Sequence, residues 1–267
     1  MSGYPESTWR LIFSPAADGA TQMAVDEAIW RAVAAGRALP TLRLYAWSPP
    51  CLSLGRHQPV EQVNRGALQE AGYGLVRRPT GGKAILHADE LTYSMAVPLT
   101  DPRVRGGVLE SCARLSRGLL AGLTALGVSG ATASRRASRS PPGPVCFEEV
   151  ADFEIAVAGR KIVGSAQVRG GGGLLQHGSL PLWGDIARVC RFLIPAADPE
   201  RVRRRAVTLE EVGRRVSWAE AAQAMAEGFA QALSLRLEPD DLTDEEREAA
   251  ERLRLEKYST EAWTARH

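Results

Sequence analysis

FEIAVAGRKIVGSAQVRGGGGLLQHGSL, residues 153–180, decides the fold. FEIAV, then Ala158-Gly159, then RKIVG reads as a β-hairpin, because β-favouring runs flank a pair suited to a tight turn. Gly170–Gly173 then joins AQVR to LLQHGSL and makes a second hairpin, expected to be flexible. Two successive hairpins in mid-chain require an antiparallel meander, so the elements on either side have to be placed around a sheet.

Working outward toward the N-terminus, residues 92–97 are β-rich. Val108, Cys112, Leu115, Leu119, Leu123 and Leu126 recur at three- and four-residue steps, the buried face of a helix, which makes Cys112 a packing residue. Between that helix and the hairpin, Ser129–Val145 is rich in Ser, Arg, Pro and Gly and reads as a mobile loop. TLRLYAW (41–47) alternates Leu42, Leu44 and Ala46 against Arg43, Tyr45 and Trp47, the period of a half-buried strand. Cys51–Leu54 reads as a short strand after Pro49 and Pro50. Residues 20–35 read as a helix with Met23, Trp30 and Val33 on one face and Gly36 to end it, and 7–13 as a strand. Toward the C-terminus, Ser217 with Glu220 and Thr243 with Glu246 match capping boxes. Trp218, Ala222, Met225, Phe229 and Leu233 line one helical face. The expected architecture is a single α+β domain over 1–267, with mixed, mainly antiparallel β-sheets flanked by helices and a helical C-terminal segment from about 186 to 267.

The 267 residues carry Lys plus Arg 33 against Asp plus Glu 31, a net charge of +2, which argues against a dedicated nucleic-acid binder. Arginines cluster at Arg135, Arg136 and Arg139 and at Arg201, Arg203, Arg204 and Arg205. They read as a solvated surface or as a docking patch for an acidic partner. No apolar run approaches a membrane span, and no signal peptide is evident. Cys51, Cys112, Cys146 and Cys190 show no metal-like spacing, so no metal site is expected, and free thiols point to the cytoplasm.

Three segments and one thiol carry candidate chemistry. In RRPTGGKAILH (77–87), two arginines meet Gly81-Gly82, a pair that lets a backbone approach a ligand closely or simply makes a turn. In GRKIVGSAQVR (159–169), Lys161 precedes the small residues Gly164, Ser165 and Ala166. The lysine either snorkels or stands beside room for an apolar substrate tail. In LQHGSL (175–180), His177 before Gly178 is a base or a structural histidine. Cys146, in PVCFEE, lies outside any apolar periodic run. If the chain folds back, the Lys161 ammonium meets it, which raises the thiolate fraction and stabilises an oxyanion.

Together QMAVDEA (22–28), LRLYAWSPPCLSLGRHQ (42–58), RRPTGGKAILHADELTYS (77–94), GRKIVGSAQVR and LQHGSLPL, in that order, resemble the lipoate–protein ligase and octanoyltransferase superfamily, which shares its fold with biotin protein ligases. LEKYSTEAW (255–263) resembles the family's C-terminal end. VCFEEVADFEIAVAGRKIVGSAQ (145–167) looks like the LipM-type octanoyltransferase branch. That resemblance implies a Cys146 acyl thioester, with Lys161 lowering the thiol's pKa. It also implies an acyl pocket lined by Arg77, Thr80, Gly81, Gly82, His87, Gly164, Ser165, Ala166, His177 and Gly178. His87 or His177 is the candidate general base for the acceptor lysine, since a histidine titrates near neutrality. The implied donor is octanoyl–acyl carrier protein. The implied acceptors are lipoyl-domain proteins such as the glycine-cleavage H protein or E2 subunits. No cofactor is implied. ATP and Mg would enter only for an ATP-dependent lipoate ligase, and Gly81-Gly82-Lys83 departs from the Gly-Gly-Gly usual in ligases. A lipoyl-domain amidotransferase and a non-catalytic lipoyl-domain binder are the other readings.

Overall fold

The computed structural model describes residues 3–133, 144–146 and 154–266. β1 (Ser7–Phe13) leads into α1 (Gly19–Ala34), which starts where the Asp18 side chain accepts from the Thr21 amide. The chain returns through β2 (Thr41–Tyr45), β3 (Cys51–Leu54), α2 (Arg65–Glu70), β4 (Gly74–Arg77), β5 (Ile85–His87) and β6 (Glu90–Pro98). α3 (Val108–Ala125) and β7 (Ala131–Ala133) precede the meander of β8 (Ile155–Val157), β9 (Arg160–Gly170) and β10 (Gly173–Pro181). After α4 (Pro199–Arg205) come α5 (Trp218–Leu233), β11 (Leu235–Pro239), α6 (Asp244–Leu253) and α7 (Glu261–Thr264).

Among the described residues, eight strands form one sheet in the order β11-β1-β2-β6-β10-β9-β8-β7, and β4-β3-β5 form a second. β1 pairs parallel with β2 and β11, and the rest of the large sheet is antiparallel. A single domain follows from the edge: the first strand of the chain is hydrogen-bonded to one that begins at Leu235, so the two ends share one sheet. No helix among the described residues is long and apolar enough to cross a membrane.

The large sheet divides two environments. Leu42, Leu44, Tyr93 and Met95 meet α3 and α5 in an apolar cluster that includes Leu115, Leu119, Met225 and Phe229. Neighbouring positions on the same strands, Arg43, Tyr45, Thr92 and Ser94, and His177 on β10, are buried and polar. Alternation predicts Arg43 and Tyr45 at a half-exposed face, yet all five β2 residues are buried. The reason is α1, whose Asp26 takes Arg43 Nη1 at 2.7 Å and the Tyr45 hydroxyl at 2.9 Å. An ion pair, not solvent, satisfies the polar face.

Other expectations change for similar reasons. Gly170 pairs with Gly173 across β9 and β10, so the second hairpin is present and closes on Gly171-Gly172, a tight two-residue turn with both φ positive. Val108 is 49 % exposed at the start of α3, outside the buried stripe. The C-terminal segment contains a strand, β11, which earns its place by edge pairing with β1. Within the expected loop 129–145, Ala131–Ala133 pairs with β8. Residues 134–143 of that loop, and with them Arg135, Arg136 and Arg139, lie outside the described residues.

α3 and α5 cross at contact distance over glycine. A Cβ on Gly228 would stand 2.2 Å from the Gly122 nitrogen and 2.6 Å from the Gly118 oxygen, backbone atoms that cannot rotate away. Gly228→Ala is therefore expected to destabilise by about 1–3 kcal/mol through overpacking. That lowers the melting temperature by several degrees. A melting temperature raised by alanine's helix propensity, about 1 kcal/mol over glycine, would contradict this packing.

Candidate active site

A cavity of about 270 Å³ opens where β9, β10 and β6 of the large sheet face β3, β5 and the turn after β4. Its apolar wall is Met23, Tyr45, Trp47 and Ile85. Cys146 and Lys161 meet at its side. Cys146 reaches the site because its amide donates to the Ala84 oxygen at 3.0 Å, tying it to the stretch before β5. Lys161 enters on β9, 1 % exposed. Its Nζ lies 3.4 Å from Cys146 Sγ and donates to the Cys146 carbonyl at 2.9 Å. It is also ion-paired with the buried carboxylate of Glu154.

Burial alone disfavours the Lys161 ammonium, but the charges of Cys146 and Glu154 and the hydrogen bonds to both outweigh it. The pKa stands above the ordinary lysine value. Lys161 is held as a cation against the sulfur. Gly164 makes the room: a Cβ there would sit 3.1 Å from Lys161 Cε and 3.7 Å from Cys146 Sγ.

Gly81, Gly82, His87, Gly164, Ser165, Ala166, His177 and Gly178 line this cavity. Arg77 and Thr80 do not. Successive residues of an extended chain point to opposite sides. Arg77 is turned away, donating to the carbonyls of Gly55 at 2.8 Å, Gln58 at 2.7 Å and Thr264 at 2.7 Å. It clamps the C-terminal α7, and Trp263 Nε1 donates to its carbonyl at 2.8 Å. Thr80 is fully buried behind His177, its Oγ1 2.7 Å from Nε2.

Arg78 is the arginine of the site. Buried, it donates to the carbonyls of Ser53, Gly81 and Lys83 and to Ser53 Oγ, and so shapes the glycine turn. Burial pulls its pKa down to about 10, against the opposing field of Cys146. Glu154, Ser53 and Glu90 were also outside the sequence-level set. All four lie inside the motifs quoted above, Ser53 in LRLYAWSPPCLSLGRHQ, Arg78 and Glu90 in RRPTGGKAILHADELTYS and Glu154 in VCFEEVADFEIAVAGRKIVGSAQ, but residue type alone does not single them out there.

Both histidines have both ring nitrogens engaged. His177 Nδ1 lies 3.1 Å from Asp26 Oδ2. Burial holds its pKa below the ordinary 6.5 despite Asp26, so the ring is neutral, donating from Nδ1 and accepting the Thr80 hydroxyl at Nε2. Burial would raise the Asp26 pKa, but the His177 hydrogen bond and Arg43 hold it below the usual carboxylate value. His87 Nδ1 lies 2.7 Å from Glu90 Oε1 and Nε2 2.8 Å from Ser53 Oγ. Trp47 stacks on the ring at 4.0 Å.

A thiol beside a fixed ammonium, at a cavity with one apolar wall, suits acyl transfer through a covalent intermediate. The chain matches the lipoyl protein ligase A/B catalytic domain family over residues 18–230. It is 42% identical to a protein named octanoyltransferase LipM from Symbiobacterium thermophilum, over 98% of this chain and 99% of that one. It is 43% identical to one of the same name from Kyrpidia tusciae, over 97% and 99%. Among solved structures, lipoate-protein ligase A bound with ATP superposes with a TM-score of 0.83 at 25% identity, covering 97% of this chain and 99% of that chain. A bipartite lipoate protein ligase with its E2 lipoyl domain from Thermoplasma acidophilum gives 0.79 at 24%, covering 97% and 96%, a likeness of fold.

Proposed function

The chain belongs to the lipoyl protein ligase A/B catalytic-domain family and is an acyltransferase of its octanoyltransferase branch, and from that premise we propose that it moves an octanoyl group, by way of a thioester on Cys146, to a lysine of a lipoyl domain. The donor in this reading is octanoyl–acyl carrier protein. The acceptors are lipoyl-domain proteins such as the glycine-cleavage H protein or E2 subunits. The observation that carries the reading is the Lys161 ammonium 3.4 Å from Cys146 Sγ beside the cavity.

The Cys146 sulfur attacks the carbonyl carbon of the carrier thioester. The oxygen's developing charge faces the Lys161 ammonium, which is already oriented by Glu154 and the Cys146 carbonyl. The carrier thiol leaves and the acyl chain stays in the slot between Met23, Trp47 and Ile85. At roughly 0.8 kcal/mol per buried methylene, an octanoyl tail gains about 5 kcal/mol before ordering costs. One thioester replaces another, so this step needs no ATP or metal. The acceptor amine then converts the thioester to an amide, a downhill step that drives the sequence. In this reading the enzyme works in the cytoplasm.

The test is transfer from octanoyl–acyl carrier protein to a lipoyl-domain protein in nucleotide-free buffer containing a chelator. The reading predicts an octanoylated acceptor lysine. Transfer that appears only with free octanoate, ATP and Mg would overturn it in favour of a ligase.

A further inference from the structure

Amide formation needs a base, and Lys161 is not it. A free lysine acceptor has a pKa near about 10.4, so at neutral pH it arrives as an ammonium. Lys161 is held protonated by Glu154 and Cys146. Of the other titratable groups that line the cavity, the Glu154 carboxylate is taken by Lys161, and two are histidines whose surroundings differ.

His177 leans on Asp26, whose charge Arg43 already matches at 2.7 Å. A proton on His177 would add a buried positive charge with no carboxylate left to balance it. Its Nε2 ends on Thr80, outside the cavity wall. His87 leans on Glu90. Among the described residues, the other partners of the Glu90 carboxylate are the hydroxyls of Thr92 and Ser179. That carboxylate has a negative charge to share with an imidazolium. With Glu90 accepting from Nδ1, Nε2 accepts the proton of Ser53 Oγ, which lines the same cavity as Cys146. The Ser53 oxygen has two lone pairs. Arg78 Nη1 takes one at 3.0 Å, and the other is available to a ligand. The charged and titratable groups facing His87 are thus Glu90 from β6, Arg78 beyond Ser53 from the turn after β4, and His177 on β10. Trp47 fixes the ring plane.

We propose that Ser53, His87 and Glu90 form a proton relay that takes the proton from the incoming acceptor ammonium in the second half-reaction. The relay rests on the acyltransferase reading above and deepens it. Ser53 Oγ receives the ammonium proton as its own passes to His87 Nε2. The freed amine attacks the carbonyl carbon of the Cys146 thioester. The C–N bond forms, the C–S bond breaks, and the second nitrogen proton restores the Cys146 thiol. His87, now an imidazolium against Glu90, returns its proton to water after the product leaves. Ser53 is the residue that touches the acceptor, and His87 and Glu90 act through it.

The experiment isolates that step. Octanoyl-enzyme is formed from octanoyl–acyl carrier protein, freed of donor, and mixed with a lipoyl-domain protein between pH 6 and 10, and loss of the adduct is timed by intact mass. For Ser53→Ala and His87→Asn the transfer step is expected to slow by about 10²-fold at pH 7, the scale of a lost general base. Acylation of Cys146 falls far less. The deficit shrinks as pH nears the acceptor's own pKa, and Ser53→Thr, which keeps the hydroxyl, recovers most of the rate. A deficit equal in both half-reactions, a deficit unchanged by pH, or transfer at the wild-type rate would each overturn the relay while leaving the acyl-enzyme standing. Failure of the wild type to form any octanoyl-enzyme would overturn the acyltransferase reading, and the relay with it.

Discussion

Cys146→Ala is expected to lose acyl transfer by about 10⁴-fold or more, the scale of removing a nucleophile that acts as a unit with its partner. The fold should survive. Cys146 is half-buried, and removing its sulfur still leaves Lys161 its contacts with the Cys146 carbonyl and Glu154. Cys51, Cys112 and Cys190 give no rescue. Burial raises the thiol pKa of Cys112 to about 11 and that of Cys51 higher still, and Cys190 is packed beside Val189 and Phe192 in an apolar cluster. Steady-state transfer to a lipoyl-domain protein, with a thermal melt of the same sample, checks both halves. Residual transfer above about a tenth of wild type would place the nucleophile elsewhere.

Lys161→Met is expected to act on two properties at once. Transfer should fall by about 10²–10³-fold, as when one fixed stabiliser of a developing oxyanion is removed. Stability should fall by about 3–5 kcal/mol, because the Glu154 carboxylate, 7 % exposed, loses the cation it is buried against. The two losses separate in Lys161→Met/Glu154→Gln. A neutral amide at 154 no longer needs the charge, so much of the melting temperature should return while transfer stays low. Recovery of transfer together with stability would mean that Lys161 only props the fold. Loss of transfer with no change in melting temperature in the single variant would mean that the Glu154 pair contributes little to folding.

Local patterns in the chain were legible where one segment carries its own geometry. The β8–β9 turn at Ala158-Gly159, the helix face through Met225 and Phe229, and the capping boxes at Ser217 and Thr243 all sit as read. Sequence could not say which way each polar side chain turns. Arg77 and Arg78 are adjacent and chemically identical, and only the path of the chain after β4 sends one to α7 and the other to the cavity. Ser53 sits in a four-residue strand where a serine reads as filler, and its meeting with His87 depends on β3 pairing with β5. Asp26 and Glu154 are acids with no buried pattern around them, yet each is buried against a cation, Arg43 from β2 for Asp26 and Lys161 across the β8–β9 hairpin for Glu154. β11 is short, so although Leu235, Arg236, Leu237 and Glu238 alternate, the run stops at Pro239 and its strand structure depends on pairing with β1.

The central claim is the acyl thioester on Cys146, and intact mass after mixing the protein with octanoyl–acyl carrier protein, without ATP or acceptor, tests it most directly. The account predicts a gain of one octanoyl group, removed by hydroxylamine and absent from Cys146→Ala. An unmodified wild-type mass, or an adduct that persists in Cys146→Ala, would contradict it.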